Sequence, residues 1–234
     1  MPLLKHYADR LSARKLAEIY VPVETVLSEN QKRGQLYYRT DHHWTTAGAF
    51  LAYETWAKSM GFSPLSREDF TEVTLKDDFY GTVSARVNAH TKADSLTAYM
   101  PRFPVSYQVQ YAQESALSDS LYDTELLDSP EPYAVYLRGN QPLTRICTEP
   151  VSAEMSGRKL LVIKDSFGNS LLPFLVKHYP QTVVVDLRNF NRNLAELIDS
   201  EQITDVCVIQ NPAQMSKETS TYRMVYRPLS ADEL

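Results

Sequence analysis

The sequence predicts an α/β protein organised around a parallel sheet. Three short apolar runs carry that prediction, at Lys159–Lys164, Thr182–Leu187 and Asp205–Gln210. Each reads as a strand buried on both faces, and helix-patterned segments separate them. Buried strands alternating with helices imply a βαβαβ unit with helices on both faces of the sheet. The chain has 234 residues, which suits one domain carrying an insertion. The expectation is a single α/β domain over 1–234, with residues 62–130 as an insertion or lid.

The elements follow in order. Residues 2–18 have helical composition. Val21–Leu27 is rich in β-branched residues and reads as a strand, or a strand and a turn. Thr45 or Thr46 is an N-cap candidate. From there Ala47, Phe50, Leu51 and Trp56 recur at helical spacing to Met60, and Gly61 ends the helix. Residues 62–130 are polar and turn-rich, with alternation at Val105–Tyr111 indicating half-exposed antiparallel strands. The Ser/Asp/Glu-rich piece 114–131 reads as a loop. Tyr133–Leu137 and Leu143–Cys147 read as strands joined by a turn at Arg138-Gly139-Asn140-Gln141. In the C-terminal third a helix follows the first buried strand to about Tyr179. A second helix spans Asn191–Ser200.

Composition excludes several classes. The net charge of −5 gives no basic nucleic-acid footprint. No stretch approaches the ~18 apolar residues of a membrane span. Cys147 and Cys207 are too few for a disulfide framework and sit in apolar runs, as small core residues do. Fifteen tyrosines stand against seven glycines, a ratio that carbohydrate-binding proteins use but that plain β-rich structure, the favoured reading, also gives. The first residues do not form a secretory signal, so either the protein is cytosolic or an N-terminal segment lies outside this sequence.

Two segments carry chemistry. Asp41-His42-His43-Trp44 places a carboxylate beside two imidazoles, just ahead of a helix N-terminus. Ser166 directly follows the first buried strand and precedes a helix, at the strand end where parallel sheets bind ligands. There its backbone N–H aligns with the helix dipole and can stabilise an oxyanion. The alternative is a serine that caps the helix. Asp165-Ser166-Phe167-Gly168 is not the Gly-x-Ser-x-Gly elbow, which weakens an α/β-hydrolase reading.

The Asp165-Ser166 string is similar to the Gly-Asp-Ser block of SGNH (GDSL-type) hydrolases, with Lys164 in place of glycine. The acid and base would precede the nucleophile, the reverse of the usual SGNH order; triads are defined by geometry rather than order. Four strings resemble the bacterial DHHW family and, more distantly, alginate O-acetyltransferases of the AlgX/AlgJ type. They are Tyr37–Ala49, Asp78–Thr82, Lys164–Ser170 and Val185–Arg188. The resemblance covers residues 36–211. It implies an SGNH-like, flavodoxin-like fold and a triad of Ser166, His43 and Asp41. The Asp-x-His pattern maps onto Asp41 and His43. In an extended segment those two side chains share a side, and His42 points away into a structural role.

The resemblance further implies acetyl transfer or hydrolysis on a carbohydrate ester, with no metal and no cofactor. It implies an extracellular or membrane-anchored setting beside a membrane-bound acyltransferase. Relatives carry more sequence before the motif, including a first strand, so a sheet edge would be open here. Arg188 and Asn211 occupy the places of the oxyanion glycine and asparagine, with Arg188 as a cationic substitute. Gly139-Asn140 is either a second donor pair or a turn. Trp44 and Tyr80 are candidates for stacking on a sugar or for packing. Lys164 and Asp165 either tune the serine or, as flanking charges at a strand end usually are, are solvated; His6, His90 and His178 are expected to be surface or core residues. A two-metal phosphoesterase would need further aspartates and histidines in glycine-rich loops. The rival of another class is a non-catalytic polysaccharide-binding protein on a degenerate SGNH fold.

Overall fold

The computed structural model describes residue 9 and residues 17–87, 92–112, 114–152 and 155–215. The helix expected over 2–18, along with His6 and His90, lies almost entirely outside them. The chain divides into two compact units, Met1–Arg102 and Phe103–Leu234.

In the first unit, α1 (Val23–Glu29) replaces the strand expected there. Tyr20 donates its hydroxyl to Glu24, and Leu27 is buried, so one apolar contact outweighs the β-branched composition. Helix α2 (Thr46–Ser59) starts where the sequence placed it, with Thr45 accepting from the Gly48 N–H. Its buried face presents Ala49, Phe50, Tyr53, Trp56 and Ala57. Strand β1 (Phe70–Phe79), the short helix α3 (Thr82–Val87) and strand β2 (Asp94–Pro101) follow. The two strands form an antiparallel pair. Phe50 meets Phe70 and Tyr99 at 5.8 and 5.7 Å between ring centroids, which docks the pair on α2.

In the second unit, β3 (Tyr107–Tyr111), β4 (Leu143–Thr148), β5 (Lys159–Lys164), β6 (Gln181–Val185) and β7 (Asp205–Ile209) form one sheet in the order β3-β4-β6-β5-β7. The three C-terminal strands are parallel, as the apolar runs predict, and β3 and β4 extend the sheet antiparallel; β7, however, is not buried on both faces, since Val206 and Val208 are exposed on the edge strand. Helix α4 (Gly168–Leu175) links β5 to β6, and α5 (Leu194–Glu201) links β6 to β7. Leu161, Ile163, Val183, Val185, Phe190, Leu194 and Leu197 build the core on one side. The segment expected as a strand at Tyr133–Leu137 instead contains a 3-10 turn, Pro132–Val135, with proline at its start. Residues 62–130 are not one lid: β1 and β2 belong to the first unit and β3 to the main sheet. Neither cysteine is in a disulfide, and neither is a core residue: Cys147 is exposed and Cys207 half-buried.

Candidate functional site

The Asp-His-His-Trp segment is a tight loop, not an extended strand. Tyr37 and Trp44 pair across it, and Tyr38 N donates to His43 O at 3.1 Å. Between them Asp41 turns back on its own chain. Its Oδ1 accepts from the His43 backbone N–H at 2.9 Å and lies 2.5 Å from His43 Nδ1. Asp41 and His43 are therefore joined as the i, i+2 spacing suggested, but by an aspartate turn rather than by strand alternation. Both side chains are buried.

The other carboxylate oxygen is held from α3. Asp41 Oδ2 accepts from the Thr82 N–H at 2.9 Å and from the Thr82 hydroxyl at 3.0 Å. This approach needs a glycine ahead of it, because a Cβ on Gly81 would lie 2.3 Å from both Asp41 Cβ and Oδ2. Burial alone would raise the Asp41 pKa. The hydrogen bond and charge of His43, with the Thr82 and His43 backbone donors, hold it well below the usual carboxylate range.

A second buried carboxylate shapes the loop. Asp94, at the start of β2, accepts from the Thr40 N–H and hydroxyl at 2.7 Å each, from Arg39 N at 2.9 Å and from Gln35 at 2.6 Å. Thr40 O in turn accepts from Val83 and Ser84 at the start of α3. The loop and α3 are thus locked together on both sides of Asp41. Neither Asp94 nor Thr82 stood out in the sequence. Thr82 belonged to a family-like string with no role attached, and Asp94 carried no signal.

His42 does not point away. Its ring stacks on His43 with centroids 3.8 Å apart, and its Nδ1 is 2.7 Å from the Thr82 hydroxyl. Asp41, His42 and His43 also offer metal-type ligand atoms within 4.8 Å of one another. The closest of them, His43 Nδ1 and Asp41 Oδ1, stand 2.5 Å apart. Ligands ~2.0–2.2 Å from a tetrahedral zinc lie more than about 3 Å from each other, so this spacing fits a shared proton. Trp44 is buried at 6% exposure, which makes it a packing residue rather than a sugar platform, whereas Tyr80 is 53% exposed.

In the second unit Ser166 opens the turn between β5 and α4. Phe167, not Ser166, is the helix N-cap residue, and no side-chain cap bond forms there. Asp165 ties the turn together instead. Its Oδ1 accepts from Phe167 N at 2.9 Å, and its Oδ2 accepts from Asn211 N at 2.6 Å. That second bond spans the C-terminal ends of β5 and β7, where the strand order reverses and open α/β sheets form their ligand crevice.

Lys164 and Asp165 are not solvated: both are buried. The parallel register sets Ile163 against Val185, so the next residues, Lys164 and Asp186, emerge side by side. Lys164 Nζ donates to Asn140 Oδ1 at 3.1 Å and lies 3.8 Å from Asp186 Oδ2. Burial pulls its ammonium down to about 8, with Asp186 opposing that and Arg188 adding to it. Gly168 lets α4 pack here, since a Cβ would sit 2.7 Å from Lys164 Cβ.

The oxyanion candidates are all engaged. Arg188 grips Asp186 through Nε at 2.9 Å and Nη2 at 2.5 Å. Asn140 Oδ1 also accepts from Asn169 at 3.3 Å, and its backbone carbonyl accepts from Asn189 at 2.8 Å. Asn211 Oδ1 accepts from Ala213 N at 2.8 Å. Gly139-Asn140 lies in a turn closed by Gly139 N to Tyr136 O at 3.0 Å.

The family model described as DHHW protein matches residues 7–185. Among solved structures, a DHHW family protein from Eubacterium siraeum is similar over 90% of this chain and 70% of its own, at 24% identity and a TM-score of 0.73. Bacillus cereus PatB1 with a sulfonyl adduct is similar over 86% of this chain and 68% of its own, at 22% identity and a TM-score of 0.64. No curated protein sequence matches the chain.

Proposed function

The chain belongs to the DHHW protein family, and on that premise we propose that it transfers or hydrolyses acyl groups through Ser166, His43 and Asp41. The observation that carries this reading is the buried carboxylate–imidazole pair, Asp41 Oδ1 to His43 Nδ1 at 2.5 Å. Such a pair fixes the ring tautomer with the proton on Nδ1, so that Nε2 is the basic nitrogen, and it stabilises the imidazolium that forms. The SGNH-like fold and the position of Ser166 at the end of β5 support its role as nucleophile.

In the proposed reaction His43 Nε2 takes the Ser166 proton as Oγ attacks an ester carbonyl, and the carbonyl electrons move onto oxygen. The tetrahedral species collapses, and the leaving alkoxide takes the proton from His43. The acyl-serine then yields to a carbohydrate hydroxyl or to water, which His43 deprotonates in turn. The Ser166 N–H is one candidate oxyanion donor. Asn140, Asn211 and Arg188 are the others; Arg188 spends Nε–H and Nη2–H on Asp186, whereas Asn140 and Asn211 accept through their side-chain oxygens. Tyr80 offers an exposed ring for a sugar. The substrate we assign is an acetylated cell-surface carbohydrate, and the setting extracellular, beside a membrane-bound acyl donor system. Among the described residues no helix is long and apolar enough to cross a membrane.

The test is turnover of a chromogenic acetyl ester with and without an oligosaccharide acceptor. The expected result is turnover that Ser166→Ala abolishes, with acceptor acetylation marking a transferase. Turnover unchanged in Ser166→Ala refutes the serine mechanism. A wild-type protein that binds polysaccharide yet turns over no ester favours the non-catalytic reading.

A further inference from the structure

The Thr82 hydroxyl has one hydrogen and sits between two groups. Asp41 is ionised and only accepts, so the hydroxyl at 3.0 Å from its Oδ2 donates to it. His42 Nδ1, 2.7 Å from the same oxygen, must then be the donor in that contact. Hydrogen-bond direction therefore runs from His42 through Thr82 to Asp41, and it defines the His42 tautomer as Nδ1–H. A neutral imidazole with its proton on Nδ1 keeps a basic Nε2, and the His42 side chain is 37% exposed.

We propose that His42 is a positioning residue for the Asp41–His43 pair: with Thr82 it holds Asp41 Oδ2, leaving Oδ1 to His43. The kinetic part of this rests on the acyl-transfer reading; the hydrogen-bond part does not. The charged or titratable groups recorded around His42 are Asp41, 3.7 Å from Nδ1, and the stacked His43. Helix α3 meets it through Thr82, which does not titrate. A proton on His42 Nε2 places a cation against the ring that must itself become cationic during turnover. Like charges at that distance oppose each other, so a cationic His42 would disfavour the imidazolium that His43 forms during turnover.

The proposal separates variants that a purely structural role would not. His42→Phe keeps a ring to stack but loses the donor and the charge. It is expected to lower kcat by about 10-fold with little change in KM, as for loss of one hydrogen bond acting on the reacting groups. His42→Gln restores a side-chain donor without a charge, and is expected to recover most of kcat. Thr82→Ser should behave as wild type and Thr82→Val as His42→Phe.

Long-range 1H–15N NMR of the histidine side chains tests the hydrogen bonds independently of activity. The expected result is Nδ1–H for His42 in the wild type and a shift towards the solution preference for Nε2–H in Thr82→Val. A wild-type His42 protonated on Nε2 alone overturns the proposal, as does His42→Phe with wild-type kcat. Failure of the acyl-transfer reading looks different: wild type and Ser166→Ala are then equally inactive, and the NMR result alone decides the tautomer.

Discussion

Replacing Lys177 by methionine should stabilise the protein, and the gain should shrink as pH rises. Lys177 is 1% exposed in the turn after α4, and burial pulls its pKa from 10.5 to about 7. Its ammonium donates to the Pro173 carbonyl, and the Tyr107 ring lies 5.7 Å away, near the limit of a useful cation–π contact. A lysine that folds with a depressed pKa binds fewer protons than its unfolded form, so folding is penalised below the unfolded value. At pH 7 the span from 10.5 to about 7 corresponds to about 4 kcal/mol of lost stability. Methionine has similar reach and no charge, but it forfeits the bond to Pro173 O, worth about 1 kcal/mol. The net expectation is a gain of about 3 kcal/mol at pH 7. Between pH 7 and 9 the folded lysine is neutral while the unfolded one keeps its proton. The wild type should therefore close the gap by about 2 kcal/mol across that window. His178 beside it is held down to about 4 by burial and by Lys177, so it is neutral throughout. Lys164 titrates near 8 in both proteins and cancels in the difference. Urea denaturation of both proteins at pH 7, 8 and 9 measures the gap. A gap independent of pH, or a variant less stable than the wild type at every pH, refutes the reasoning.

Three more expectations concern the candidate site. Gly81→Ala forces the 82 turn off Asp41 and should cost about 2–4 kcal/mol in denaturation while lowering ester turnover; a variant equal to wild type in both contradicts the close approach. Asp41→Asn removes a carboxylate whose pKa is depressed, so the stability it supplies is present above about pH 4 and fades as pH falls. That variant should lose about 10³–10⁴-fold in kcat and show a flatter stability curve below pH 4; full activity would exclude Asp41 from the mechanism. Lys164→Met removes a buried ammonium that burial pulls down to about 8 while Arg188 keeps both its bonds to Asp186, so by the Lys177 reasoning the denaturation midpoint at pH 7 should not fall; a midpoint lowered by about 3 kcal/mol would mean that Asp186 needs both cations.

The parallel strands were legible because β5 and β6 are buried on both faces and write that burial as unbroken apolar runs. Helix α2 was legible because its cap and its apolar spacing agree. The segments misread, Val23–Glu29 and Tyr133–Val135, carry β-branched or aromatic residues whose local preference yields to tertiary contact and to Pro132. The Asp41–His43 bond is local and could be read from spacing, although the loop that makes it could not. Thr82 and Asp94 reach the same loop from 41 and 54 residues away, so only the folded chain brings them there. Lys164 and Asp186 meet through strand register, which a single sequence does not display. A flanking lysine therefore looked solvated while it was in fact buried.

The central claim is that Ser166 is a nucleophile activated by the Asp41–His43 pair. Treatment with an arylsulfonyl fluoride, which sulfonylates activated serine hydroxyls, followed by peptide mass spectrometry tests it most directly. The account predicts one adduct, on Ser166, forming rapidly in the wild type and strongly slowed in both His43→Ala and Asp41→Asn. An adduct on another residue, or Ser166 labelling at an equal rate in all three proteins, would contradict it.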